Sequence, residues 1–294
     1  MTSQPKNPEE FYRDRFSGSL FIIKAGGRII TDKKARADLL KTIKDFISAD
    51  IKVMLVYGGG HVIDTALKER NIKTRKQDGR RITNAESIPV IQSVMSAHLS
   101  GLILQSMAEA DFKNGLCLPA MPAHWTDIEL RPRDKKDYGY DGTIPKVHAA
   151  PILSLLNSSP FIATPSLAIS KNNAVNVNAD MAAISIACWT QARKLIFLSD
   201  VDGVMIDGEK ASVLSDEEIE KHIHSGQIEG GMKVKMESCL EALDRGVRRV
   251  HLINGLKEQA LAREVYDPMG TGTMILRESD KDRYFEEIKF EDVS

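Results

Sequence analysis

The chain has 294 residues, 42% of them hydrophobic, which is enough to bury a full core as one large domain or two lobes. A formal net charge of −1 leaves no excess to draw in nucleic acid or an anionic membrane, so the composition points to a small-molecule substrate. The three cysteines, Cys117, Cys188 and Cys239, are scattered without a C-x-x-C, which argues against a disulfide framework or a zinc site and for buried free thiols.

The polar start, Met1 to Pro8, lacks the apolar core of a signal peptide, and no uninterrupted apolar run looks long enough to span a bilayer, so the cytoplasm is the expected compartment. Short β-branched runs then alternate with helical patterns, the rhythm of βαβ units around a parallel sheet. The run Leu20 to Lys24 leads into Ala25-Gly26-Gly27, and the spacing of Leu39, Leu40, Ile43, Phe46 and Ile47 predicts a helix over 32–47. Val53 to Tyr57 leads into Gly58-Gly59-Gly60, followed by a predicted helix over 62–69 whose N–H groups face back toward the turn. Thr83-Asn84-Ala85-Glu86 has the spacing of a capping box and predicts one long helix to about 110.

Residues 118–146 break the rhythm with four prolines, Trp125 and a charged run at 131–137. They predict an irregular or hairpin segment, equally a specificity loop or a solvated insertion. Strands follow at Phe161-Ile162-Ala163, Leu195 to Leu198 and Val250 to Ile253. A helix is predicted over 182–189, and another over 234–245, closed by Gly246. The tail 277–294 is highly charged, with Tyr284, Phe285, Ile288 and Phe290 as anchors, and predicts a docked or loose extension. Lys24, Gly58, Asp200 and Asn254 fall at carboxyl ends of strands, where open α/β sheets place ligands. A third glycine turn, Glu229-Gly230-Gly231-Met232, leads into Lys233 and Lys235. Turns of this kind bring backbone N–H groups together on an anion, and a neighbouring lysine adds full charge. The standard P-loop and dinucleotide motifs are absent.

Taken together, Ile22-Ile23-Lys24-Ala25-Gly26-Gly27, Val56-Tyr57-Gly58-Gly59-Gly60, Gly79-Arg80-Arg81-Ile82-Thr83, Asn176-Val177-Asn178-Ala179-Asp180, Leu198 to Val204, Gly230 to Lys235 and Gly270-Thr271-Gly272-Thr273-Met274 resemble, in order, the amino acid kinase family. The resemblance spans about residues 18–276 and is strongest to the N-acetylglutamate kinases of arginine biosynthesis. It implies an open, mostly parallel αβα sandwich of the carbamate kinase-like type with two lobes. Residues 18–170 would form the amino-acid-binding and dimerisation lobe, and 171–276 the nucleotide lobe, flanked by a helical extension at 1–17 and the tail. The implied reaction is ATP-dependent phosphorylation of a side-chain carboxylate, with Mg2+ carried on the phosphates rather than in a protein metal site.

Such a transfer brings two anions together, so the site must neutralise charge and align reactants. Lys24 and Lys235 would contact the phosphate oxygens, the N–H groups of Gly26, Gly27, Gly59 and Gly60 would hold the transferred group, and Asp180 would fix the lysines. Found singly, each lysine reads as a solvated residue and Asp180 as compensation of a helix dipole. Arg81 offers a planar fork for the acceptor carboxylate, with Arg80 as the competing neighbour, and Asn176 and Asn178 complete the acceptor side. Asp200, Val201, Gly203, Met205, Gly231, Met232 and Lys233 would line the nucleotide. His222 and His224 point apart at i,i+2 on a helix and read as surface residues.

One departure is local. The family usually turns with a G-K-D-G-like sequence where Gly115-Leu116 here continues into Cys117-Leu118-Pro119, so this part of the acceptor lobe is rebuilt. The acceptor stays open between N-acetylglutamate and another N-acylated acidic amino acid such as an aminoadipate derivative. A non-catalytic arginine-sensing domain is the rival from a different class, and the joint presence of Lys24, Asp180 and Lys235 favours the enzyme. Arginine-inhibited relatives carry an N-terminal helix that links dimers into a hexamer, which 8–16 resembles. Tyr12, His251, Glu264 and Gly270 stand at that family's effector spacing. The alternative is a satisfied core histidine, a solvated glutamate and a loose leader.

Overall fold

The computed structural model describes residues 8–77, 80–131, 138–170, 173–267 and 270–291. Gly79, the charged run from 132 to 137, and the side chains of Arg80, Ile288 and Phe290 lie outside the described residues. An eight-stranded sheet runs in the order Val213–Ser215, Thr273–Leu276, Val250–Asn254, Lys194–Ser199, Leu20–Ala25, Lys52–Tyr57, Phe161–Pro165, Gly115–Cys117. The pairs from Val250–Asn254 to Gly115–Cys117 are all parallel, and Thr273–Leu276 turns antiparallel against Val250–Asn254.

Successive side chains of a strand point to opposite faces, and both faces here are apolar. Phe21, Ile23, Val53, Leu55, Phe161, Ile196 and Leu198 enter one buried cluster with helices Lys33–Ser48, Gly60–Glu69 and Ala260–Tyr266. Leu20, Ile22, Met54, Val56, Ile162, Leu195 and Phe197 enter the other with helices Ala149–Ser158, Ala179–Trp189 and Gly230–Asp244. The expected αβα sandwich is therefore the observed one, and its single sheet runs without a break through both expected lobes.

Several predicted elements sit within a few residues of the observed ones. Asp32 caps helix Lys33–Ser48 by accepting from Ala35 N, and Gly246 follows helix Gly230–Asp244 at φ +95°. The capping box at Thr83 is a correction. Thr83 is fully buried, its N–H and C=O pair with Tyr138 and Tyr140, and the helix begins only at Ser87, whose N–H donates to Asn84 Oδ1. That helix contains a π-helical stretch, Ser93–Leu99, and brings Met95 and Leu99 against Gly59. Ser87–Glu109 is also long and apolar enough to cross a membrane, contrary to the expectation from sequence, although its inner side is part of the core.

The 118–146 segment supplies the hairpin Thr126–Leu130 and Asp141–Val147, which joins Asn173–Val177 and Leu167–Ser170 in a second, four-stranded sheet, with Trp125 buried beneath it. Of the thiols, Cys239 is buried, whereas Cys117 and Cys188 are only partly so. The tail forms helix Glu278–Glu291, docked through Lys281 to Glu218 and through Arg277 to Leu243 O.

Helix Pro8–Phe16 packs on its own chain. Tyr12 stacks on Phe16, and edge-on contacts continue through Phe21 and Phe46 to Tyr266. Arg13 pairs with Asp45, which also accepts from Tyr266 Oη. Beside Phe16 lies a buried polar chain: Lys194 Nζ is 4.9 Å from the Phe16 ring centroid and donates to His251 Nε2 at 3.3 Å. His251 Nδ1–H then donates to Glu264 Oε1 at 2.7 Å, and the Thr271 and Gly272 N–H groups donate to Glu264 Oε2.

Burial and the neighbouring Lys194 push the His251 imidazole down to about 4, and burial pulls Lys194 down to about 8. Burial opposes ionisation of Glu264, but its hydrogen bonds from His251 and the two backbone N–H groups win and keep its carboxyl below the ordinary range. Between about pH 6.5 and 4 the unfolded chain accepts a proton that folded His251 refuses, so stability falls as pH falls through that window. We expect the stability measured by urea unfolding to drop on acidification with a slope approaching about 1.4 kcal/mol per pH unit from this group. The slope should be shallower in His251→Gln. Equal slopes for the two proteins between pH 6.5 and 5 would contradict the assignment.

Candidate active site

Lys24 continues the register of Leu20 and Ile22, so its side chain leaves the sheet on the face covered by helix Ala179–Trp189. Asp180, in the first turn of that helix, meets it there, with Lys24 Nζ 2.8 Å from Asp180 Oδ1. A small pocket beside this pair is lined by Lys24, Asp180, Ser199, Lys235 and Cys239, among others. Lys235 arrives from helix Gly230–Asp244, so two lysines from different elements and one acid share one small space. Burial drives the Cys239 thiol far above its ordinary range, with Asp180 adding to the rise, so the thiol stays protonated there.

The first two glycine turns touch one another. A Cβ at Gly27 would stand 3.0 Å from the His61 ring and 3.1 Å from Gly58 O, and one at Gly59 would stand 2.7 Å from Met95 Sδ. A side chain at Gly27 would press the two turns apart, and one at Gly59 would drive into Met95 and Leu99 of the helix behind it. At Gly26 and Gly60 a Cβ would meet nothing within 4 Å, so the backbone borders open space on that side. The N-terminus of helix Gly60–Glu69 opens at this place, and its first N–H groups are available to an anion.

On the acceptor side, the Arg81 side chain is buried, pairs with Asp64 and donates to Gly60 O at 3.2 Å. Its Nη1 is buried without a hydrogen-bond partner among the described residues. A buried donor left unpaired costs desolvation energy, so it marks a place where a ligand acceptor belongs. Asn176 lies in strand Asn173–Val177, and its Nδ2 approaches Thr83 Oγ1 at 3.4 Å, while Thr83 Oγ1 donates to Arg81 O. Thr83 thereby ties the two expected acceptor residues to one place. Asn178 does something else: its side chain accepts from Met181 N and caps the helix that carries Asp180.

Asp200 follows strand Lys194–Ser199, with Val201 partly buried behind it. Gly203 has φ +143°, and Met205 is exposed in the hairpin Val204–Ile206/Glu209–Ala211. Gly231, Met232 and Lys233 form the first turn of helix Gly230–Asp244, and Lys233 lies 4.0 Å from Glu237. No group of His, Cys, Asp or Glu among the described residues could hold a metal ion, and Asp180 and Asp200 are each engaged by a cation, Lys24 and Arg28. His222 and His224 each bond locally, to Gln227 and to Glu220 O.

Three of the four effector candidates, His251, Glu264 and Gly270, meet at one locus. Glu264 is bonded to His251 and to the N–H groups after Gly270, which sits at φ +59° with no room for a Cβ beside Glu264, and Tyr12 is buried one helical turn from Phe16. Lys194 joins them, although nothing in the sequence distinguished it from any strand-end lysine. Asp64, His61 and Arg28 are likewise site neighbours missed from sequence. Only Arg28 had a signal, as the residue directly after a glycine pair.

With this geometry in hand, comparison with known proteins is informative. The family model described as "Amino acid kinase family" matches residues 19–254. An acetylglutamate kinase of Nitratiruptor sp. is 34% identical over 270 residues, covering 89% of this chain and 93% of the relative, and one of Hydrogenobaculum sp. is 35% identical over 271 residues, covering 90% and 94%. Among solved structures, N-acetylglutamate synthase from Neisseria gonorrhoeae, complexed with coenzyme A and N-acetyl-glutamate, superposes with a TM-score of 0.81 at 23% identity. That match covers 92% of this chain but only 62% of the synthase chain. With a family model that matches most of its length and relatives 34–35% identical over about nine-tenths of it, the chain is a member of the amino acid kinase family.

Proposed function

We propose that this protein transfers the γ-phosphoryl group of ATP to the side-chain carboxylate of N-acetyl-L-glutamate, a step of arginine biosynthesis, as its relatives' names indicate. The observation that carries the proposal is the convergence of Lys24, Asp180 and Lys235 on one small pocket beside the glycine turns. A carboxylate oxygen of the acceptor forms the new bond to phosphorus as the bond to the β–γ bridging oxygen breaks, giving an acyl phosphate and ADP. Negative charge moves toward the transferred group and the leaving oxygen. Lys24 and Lys235 stabilise it, Asp180 keeps Lys24 in position, and the N–H groups of Gly26, Gly27, Gly59 and Gly60 receive the phosphoryl oxygens. Mg2+, when bound with ATP, would neutralise charge on the phosphates.

In this reading residues 18–170 hold the acceptor and 171–276 the nucleotide. Arg81 Nη1 would take one oxygen of the acceptor α-carboxylate, and Asn176 would serve the acylamino group. Asp200, Val201, Gly203, Met205, Gly231, Met232 and Lys233 would surround the nucleotide. The enzyme would work as a cytoplasmic homo-oligomer, a dimer or a hexamer built through helix Pro8–Phe16. L-arginine would bind at Tyr12, His251, Glu264 and Gly270, with its guanidinium on Glu264.

Trapping the acyl phosphate as a hydroxamate tests the reaction: product should depend on both ATP and N-acetyl-L-glutamate, with lower yield from an N-acetylaminoadipate. Lys24→Ala or Lys235→Ala should each lower kcat by about a hundredfold or more with a smaller effect on acceptor KM. Near-normal turnover in Lys235→Ala would sink the assignment. Absence of any product from wild-type protein would favour the non-catalytic, arginine-sensing alternative. Arg81→Lys should raise the acceptor KM more than it changes kcat, because an ammonium cannot reproduce the planar fork; a loss confined to ATP affinity would move Arg81 to the nucleotide side.

Regulation has its own measurement. Arginine must bind one conformation better than another in order to inhibit, and helix Pro8–Phe16 touches the locus through Phe16. Removal of residues 1–17 should yield a smaller particle by light scattering whose turnover no longer responds to L-arginine. An intact enzyme indifferent to arginine, with a particle size unchanged by truncation, would refute both the ring and the effector site.

A further inference from the structure

Arg28 stands immediately after the Gly26-Gly27 turn, in the short helix Gly27–Thr31. Its Nη1 lies 2.6 Å from Asp200 Oδ2, an ion pair that joins the first glycine turn to the end of strand Lys194–Ser199. The pair is open to solvent, with the arginine side chain 67% exposed and the aspartate 39%. Exposed pairs of this kind are weak, and a polyanion with several oxygens competes well for a guanidinium fork.

Two further contacts place this guanidinium at the phosphate-handling end of the cleft. Ser199 lines the pocket that holds Lys24, Asp180 and Lys235, and its hydroxyl donates to Asp200 Oδ1 at 3.3 Å. Burial works to raise the Asp200 carboxyl, but its own backbone N–H, Arg28, Ser199 and Lys235 pull it below the ordinary range. The same carboxylate thus feels both Arg28 and the lysine proposed to act on the phosphate. On the opposite side, the His61 ring packs against Gly27. Burial and Arg28 lower its imidazole against the opposing pull of Asp64.

Lys24, Arg28 and Lys235 therefore face Asp180 and Asp200, a surplus of one positive charge gathered around two glycine turns. We propose that Arg28 is a further phosphate-binding residue, held on Asp200 and transferred to the terminal phosphates of a nucleoside triphosphate when it binds. The proposal rests on the kinase reading above. No bond is made or broken in the exchange: one carboxylate partner is replaced by phosphate oxygens, and Asp200 turns to solvent or to Lys235.

Calorimetric titration of wild type, Arg28→Ala and Arg28→Lys with a non-hydrolysable ATP analogue, and separately with AMP, tests it. The alanine variant should bind the triphosphate analogue roughly tenfold more weakly or worse, with AMP affinity unchanged and the lysine variant in between. The thermal unfolding midpoint should match wild type, since the lost pair is exposed. Equal triphosphate affinity in wild type and Arg28→Ala overturns the proposal while leaving the kinase reading intact, as does an equal loss for AMP and the triphosphate. Failure of wild type to bind the triphosphate analogue overturns the kinase reading and this proposal with it.

Discussion

Everything at the active end of this molecule depends on how closely two neighbouring strand ends approach. The strands Leu20–Ala25 and Lys52–Tyr57 pair in parallel, so both deliver a glycine turn to the same edge of the sheet. Those turns press on one another where Gly27 meets His61 and Gly58 O, and helix Ser87–Glu109 presses Met95 and Leu99 onto Gly59 from behind. Interiors are packed too densely to absorb even a methyl group at such a contact without a shift. The absence of side chains there brings the two turns together, and with them Arg28, His61, Asp64 and Arg81 into one neighbourhood.

The charges around this edge are arranged in reciprocal pairs. Lys24 is held by Asp180, Arg28 by Asp200 and Arg81 by Asp64, so each of these three cations has an acid beside it, and Lys235 adds a further cation to the Lys24–Asp180 pocket. The pairs differ in solvent access, and that decides what they can do. Arg81 is buried and keeps one nitrogen unpaired, which suits a fixed, oriented contact, whereas Arg28 is exposed and can exchange partners at little cost. Asn178 caps the helix that presents Asp180 and so helps to fix the place of that carboxylate.

A second dependence runs along the far side of the sheet. The aromatic contacts from Tyr12 through Phe16, Phe21 and Phe46 to Tyr266 anchor the N-terminal helix to the core, and Phe16 lies against the buried Lys194, His251 and Glu264. A displacement of that helix would therefore be felt by strands Lys194–Ser199 and Val250–Asn254, which lead directly to Asp200 and Asn254 at the carboxyl ends of the strands. Both strands are buried along their length except at Asn254.

The sequence by itself determined the strand and helix rhythm, because alternating and 3.6-residue apolar patterns are local consequences of burial, and it determined Lys24, Gly27, Gly59, Asp180 and Lys235 as a motif set. It also placed Asp32 and Gly246 at helix ends, since caps act within one turn. Tertiary structure alone decided that Thr83 would abandon its capping role, because its backbone groups found partners in Tyr138 and Tyr140, far along the chain. Tertiary structure also brought Arg28 to Asp200 across a separation of 172 residues, set Asp64 on Arg81, and made Lys194 a buried partner of His251. Those choices rest on which faces of distant elements meet, and no local pattern of side chains encodes that.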